Sequence, residues 1–297
     1  CFCSSAGAYP ELRPPRKIGK PSEGWHPCMH NKTTLPNGLR IVTGELPHTR
    51  SATVSMYVGA GSRYESDEEA GLSHFLEHML FKGASRRPTA REISEAIESV
   101  GGSHNAATDR ELTVYYAKVP HTAAMETIDI LADMIRAPIM DPAELEKERS
   151  VILEELASVE DSPGELAGIL IDETLWPGQP IGRNVGGSPD SVSSLPISAV
   201  NAYLARQYVP ENTVLAVAGN VNHEEVVAAA ERWLGAVPTY SCVGIRYTSD
   251  VPILVMPIMC RCLAPCRVGI CGWRWTATGR SHRHRPIVPR CGNGART

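Results

Sequence analysis

The chain has 297 residues, 42% of them apolar and 21% charged, with a formal net charge of −4. This composition excludes a disordered or collagenous chain and leaves room for one large domain or two small ones. Residues 31–250 carry 17 Lys and Arg against 31 Asp and Glu, a balance of −14, whereas beyond Asp250 there are eight arginines and no acid. Phosphate binding needs clustered positive charge, so an acidic body argues against nucleic acid as the partner and favours basic peptides.

The nine cysteines sit at the two ends, three in the first 28 residues and six from Cys242 onward. A disulfide framework would thread the core, so this placement argues against a disulfide-dependent secreted domain. The longest apolar stretch, Val251 to Cys260, is about ten residues where a membrane span needs about 20. No signal peptide is visible either, and the expectation is a cytoplasmic chain with no membrane partner.

Residues 1–30, rich in Pro, Gly, Ser and Cys, read as an irregular leader. Order is expected from Thr34, with Asn37-Gly38 turning a hairpin into Ile41-Val42 and a second strand at Ala52–Val58. An acidic start at Ser66-Asp67-Glu68-Glu69 predicts a helix running through Leu80 to a stop at Gly83. Thr89 and Glu92 form a capping-box pattern ahead of Ile93, Ala96, Ile97 and Val100, with Gly101 as terminator. Two adjacent strands follow, Ser103–Thr108 and Leu112–Val119, and then a helix over about Thr122–Arg136. Asp141, Pro142 and Glu144 open another helix that continues to about Val159. The segment Asp161–Ser198 reads as mixed and loop-rich, followed by a helix at Ala199–Gln207, a strand at Thr213–Ala218 and a helix from His223 to Leu234. Hairpins interspersed with helices predict an α+β fold, a mixed and mostly antiparallel sheet with helices packed on one side.

The stretch after Tyr240 departs from this pattern. Cys260, Cys262, Cys266, Cys271, His282 and His284 invite a zinc-module reading, but the spacing contains no Cys-x2-Cys pair. Residues 241–297 are therefore expected to be an aberrant or poorly ordered tail, and a nucleic-acid-binding role for its arginines is the weakest of the readings.

The chemistry concentrates in His74-Phe75-Leu76-Glu77-His78. Positions i and i+4 of a helix face one way, so His74 and His78 can grip one metal ion while Glu77 lies beside it, able to take a proton from water. A hydrolytic zinc site needs a third protein ligand and one open position. On the helix after Pro142, Glu148 and Glu155 are seven residues apart on one stripe with Val151, Ile152 and Val159. They are either inward carboxylates or ordinary exposed charges.

Three segments, HFLEHMLFKG (His74–Gly83), Asn105-Ala106-x-Thr108 with ELTVYY (Glu111–Tyr116), and ERSVILEELASVED (Glu148–Asp161), resemble the inverted-motif zinc peptidases, the family of pitrilysin and mitochondrial processing peptidase. Tyr208-Val209-Pro210-Glu211-Asn212 and the following strand extend the likeness, which covers residues 31–238 in order. The resemblance implies a metallohydrolase fold of that type. It further implies one Zn2+ per chain on His74, His78 and Glu155, with Glu77 as general base. Glu155 is favoured over Glu154 because the family's ligand is the last Glu before the apolar residue. Glu148 would hydrogen-bond a ligand histidine. Asn105 and Ala106 would lie on an edge strand that pairs with an extended substrate.

The implied reaction is zinc-dependent endoproteolysis of unfolded or presequence-like peptides. Family members have two similar halves, and the second supplies further substrate contacts, including an Arg and a Tyr. Residues 31–240 therefore read as the N-terminal catalytic domain with the second homologous half absent. A homodimer or a partner chain would then complete the site. The competing reading is a non-catalytic scaffold subunit of the same fold, or an inactive fragment that needs its other half.

Overall fold

The computed structural model describes residues 30–236. The expectations placed on the leader before His30, on all nine cysteines and on the tail lie outside the described residues.

Six strands form one sheet: β1 (His30–Thr34), β2 (Arg40–Glu45), β3 (Ser51–Val58), β4 (Ser103–Thr108), β5 (Thr113–Pro120) and β6 (Thr213–Gly219), in the order β1-β2-β6-β3-β5-β4. Only β2 and β6 pair in parallel, Ile41 opposite Leu215, and every other neighbour is antiparallel. Alternate residues of the central strands turn to one buried face, where Met56 lies opposite Leu215 on one side and Tyr115 on the other. The opposite face carries half-exposed or exposed residues such as Tyr116, Lys118 and Ala218, so one side of the sheet bears the core. The sheet is the mixed, mostly antiparallel one expected from the sequence.

The helices are α1 (Leu72–Leu80), α2 (Ala90–Glu98), α3 (Ala124–Arg136), α4 (Pro142–Glu160), α5 (Pro163–Leu175), α6 (Pro189–Ser194), α7 (Ile197–Gln207) and α8 (His223–Leu234). Among the described residues none is long and apolar enough to cross a membrane. The hairpin forms as predicted, with Gly38 at φ +88° in the turn. It begins earlier than expected, because His30–Thr34 pair with Arg40–Gly44. The Thr89 capping box and the Asp141 cap also form, since each signal is complete within four residues.

Five expectations are corrected. Ser66–Glu69 do not begin α1: Arg183 binds the Ser66 carbonyl and the Asp67 carboxylate, Arg206 binds Glu69, and helix starts only after Gly71. The segment expected to be loop-rich holds α5 and α6. Gly164 and Gly168 weaken the helical signal of α5, and none of its residues is buried. The inward stripe of α4 is Leu145, Glu148, Ile152 and Leu156, whereas Val151 is exposed. Val100 likewise lies beyond the end of α2 and is exposed. The Arg86-Arg87 pair, expected to be solvated, instead forms ion pairs with Asp129 and Asp133 of α3, with Arg86 also stacked 4.5 Å over the Trp233 ring.

Candidate metal centre

Helix α1 carries the His-x-x-Glu-His segment, and its N-terminus is fixed from outside the helix. The buried Glu65 carboxylate accepts from the backbone N–H groups of Gly71 (2.9 Å) and Ser73 (2.6 Å), which otherwise have no partner in the first turn. Gly71 stands at φ +91° and Gly187 at φ +79°. A Cβ on Gly71 would lie 2.5 Å from the Gly186 carbonyl oxygen, and one on Gly187 would lie 2.5 Å from that of Ala70. Two backbones thus meet at a distance that only glycine permits. The Ser73 hydroxyl adds a buried 2.6 Å hydrogen bond to Tyr203 of α7.

One face of α1, with Leu72, Phe75, Leu76 and Met79, is buried in the core, leaving His74, Glu77 and His78 half-buried on another. The Nε2 atoms of His74 and His78 are 3.3 Å apart. From α4, Oε2 of Glu155 lies 3.8 Å from Nε2 of His74 and 3.7 Å from Nε2 of His78. One ligand atom from each of the three residues falls within 4.8 Å of the others, a set made of two imidazole nitrogens and one carboxylate oxygen. Among the described residues this is the group of His, Cys, Asp and Glu side chains with metal-binding spacing.

The groups around this triad suit a cation. Nδ1 of His78 is 3.0 Å from Oε2 of Glu148, a buried carboxylate, so Nδ1 donates there and Nε2 is the nitrogen turned toward His74 and Glu155. Burial, reinforced by the neighbouring His78 ring, pushes His74 down to about 4 from 6.5. Its imidazole is therefore neutral at physiological pH, as a metal ligand must be. The buried Nδ1 of His74 has no hydrogen-bond partner. The donor set therefore fits a zinc ion, with His74, His78 and Glu155 as the residues able to hold it.

Glu77 sits beside the triad rather than in it. Its Oε2 accepts a hydrogen bond from the Thr108 hydroxyl at the end of β4. Burial raises its pKa, opposed by the Thr108 hydroxyl and the His78 ring and assisted by the Glu155 charge. Among the described residues β4 is the last strand of the sheet and pairs only with β5, with Asn105 exposed and Ala106 half-buried on it. Asn105 Oδ1 accepts from the Ala106 N–H at 2.9 Å.

Three contacts escaped the sequence reading: Thr108 on Glu77, Lys82 on Glu148, and Glu65 on α1. Thr108 and Lys82 lie inside segments already singled out there, but the partner of each is at least 31 residues away.

Comparison with known proteins decides the family. Residues 40–188 match the family model described as Insulinase (Peptidase family M16). The chain belongs to peptidase family M16. A second match, to the M16 inactive domain, spans residues 194–252. An uncharacterized zinc protease of Mycobacterium leprae is 43% identical over 205 residues, which is 69% of this chain and 46% of that protein. The probable beta subunit of the mitochondrial-processing peptidase of Arabidopsis thaliana is 41% identical over 67% of this chain and 38% of its own. Crystalline pitrilysin superposes with a TM-score of 0.66 at 26% identity, over 72% of this chain and 23% of pitrilysin. This M16 chain thus spans less than half the length of these relatives.

Proposed function

We propose that the chain carries the metal-binding, catalytic half of a zinc-dependent endopeptidase that cleaves unfolded or presequence-like peptides. Residues 31–240 form its catalytic domain. His74 and His78 hold one zinc ion through Nε2, and Glu155 holds it through Oε2. The observation that carries this reading is the convergence of those three atoms within 4.8 Å, with the far nitrogen of His78 tied to Glu148. Zinc protease relatives and M16 membership support it.

When bound, zinc supplies Lewis acidity, polarising a carbonyl and acidifying water. Glu77 moves the proton. Its Oε2 is held by Thr108, and its other oxygen takes a proton from water and returns it to the leaving amine. The upward shift of its pKa brings the carboxylate nearer the working pH, which makes it a better base. The exposed edge at Asn105 and Ala106 takes the substrate as an added strand, through main-chain hydrogen bonds. The acidic balance of residues 31–250 draws basic segments to it. A second half, from a partner chain or another copy, completes the substrate contacts, a reading supported by the partial coverage of the M16 relatives.

The test is zinc content and cleavage of a quenched, Arg-containing peptide by the full chain, with Glu77→Gln alongside. One zinc per chain, and cleavage that falls about 100-fold or more in Glu77→Gln, is the expected result. One zinc with no cleavage in either protein moves the search to the other half. Absence of stoichiometric zinc overturns the reading.

A further inference from the structure

Lys82 follows the last turn of α1, four residues after His78. Its ammonium contacts Oε1 of Glu148, while Oε2 of the same carboxylate accepts a hydrogen bond from Nδ1 of His78 at 3.0 Å. We propose that Lys82 is a positioning residue for the metal centre: it fixes the Glu148 carboxylate, and through it the ring of His78. This inference rests on the zinc-peptidase reading above and extends it by one residue.

The argument begins with burial. The Glu148 side chain is 8% exposed and lies between Leu145 and Ile152 on the inward stripe of α4. A carboxylate so placed needs a full set of partners, and the His78 ring offers it one N–H, at Nδ1. Lys82 is the cation that completes the set. Unlike an exposed ion pair, whose geometry water erodes, this pair divides the two carboxylate oxygens between two partners and so sets the plane of the group.

Lys82 is itself held in place. Its N–H donates to the Met79 carbonyl at 3.1 Å, and a Cβ on the next residue, Gly83 at φ +154°, would lie 2.4 Å from the Pro88 carbonyl oxygen, so no side chain fits there. The Ile139 N–H binds the Gly83 carbonyl at 2.9 Å, and Arg86 and Arg87 tie the same turn to Asp129 and Asp133. A side chain leaving so fixed a backbone returns to the same place after each excursion, as a positioning group must.

Charge alone gives the opposite expectation. Removing an ammonium two groups away from a dication would strengthen zinc binding, because like charges repel. A positioning role instead makes zinc binding weaker when the lysine goes. The sign of the effect therefore decides between the two.

The experiment measures zinc affinity of the full chain by competition with a chromophoric chelator, for the native protein, Lys82→Met, Lys82→Arg, Glu148→Gln and Lys82→Met with Glu148→Gln. The expected result is a dissociation constant about tenfold higher for Lys82→Met, in the range seen when groups behind metal ligands are lost. Lys82→Arg should recover most of that loss. In the Glu148→Gln background, Lys82→Met should change affinity by less than about twofold, because the pathway is already cut. Unchanged or tighter zinc binding in Lys82→Met overturns the proposal, as does an equal further loss in the Glu148→Gln background. A native chain that binds no zinc overturns the function reading instead, a result distinct from any of these.

Discussion

Helices α1 and α5 are both rich in apolar residues, and the sheet-and-helix body treats them in opposite ways. Six of the nine residues of α1 are buried, whereas none of the 13 residues of α5 is. Leu170, Ile171 and Leu175 of α5 are 52%, 57% and 61% exposed. The difference lies in neighbours. α1 is gripped at its start by Glu65 and the glycine contacts at Gly186 and Gly187, with Tyr203 of α7 beside it and Glu148 of α4 on its polar face. α5 is anchored through Asp172 to Arg110, with the Gly182 backbone close against Trp176 just beyond its end. Side-chain geometry is determined only where packing closes from several directions. The two histidines sit in the closed region. Glu155, two turns beyond Glu148 on α4, remains 48% exposed and is the least confined of the three candidate ligands.

This contrast can be broken at several places. The largest effect is expected at Phe75, fully buried on α1: Phe75→Ala should lower unfolding free energy by about 3–5 kcal/mol in a denaturant titration. A loss below about 1 kcal/mol would mean that α1 is not the packed element described.

The next is a dependence on pH. Because the folded pKa of His74 is lowered to about 4 from 6.5, the unfolded chain binds more protons between those values. Stability of chelator-treated protein should therefore fall as pH drops from 6.5 toward 4 and level off below, with about 3 kcal/mol attributable to this ring. His74→Leu should flatten that part of the profile, and an identical slope in the variant sinks the idea.

Gly187→Ala is expected to cost about 2 kcal/mol, because its φ of +79° and the Ala70 carbonyl both exclude a methyl group. Near-native thermal stability of Gly187→Ala would show that the loop yields. At the other end of the scale, Ile171→Gln on α5 should change stability by no more than about 0.5 kcal/mol. A marked loss there would reveal a partner surface covering α5 and remove the contrast.

What could be read from residue order follows the range of each interaction. The hairpin at Asn37-Gly38, the Thr89 box and the Asp141 cap close within a few residues, so their signals are complete in the local sequence. The facing of His74 and His78 is equally local, since one helical turn sets it. The start of α1 misled because Ser66–Glu69 have the composition of a first turn, yet Arg183 and Arg206, more than a hundred residues on, take those acids. α5 was missed because a helix with two glycines and no buried face carries little periodicity to detect.

The sequence alone determined most elements of the body, though not α5, α6 or the start of α1, together with the orientation of two histidines on one helical face and Glu77 beside them. Only the tertiary structure decided that Glu155 comes within 4 Å of both rings, that Thr108 holds Glu77, and that Lys82 and Glu148 stand behind His78. The physical reason is that a backbone hydrogen bond spanning four residues is encoded where it forms. A buried carboxylate, by contrast, acquires its partners only when distant segments exclude water around it.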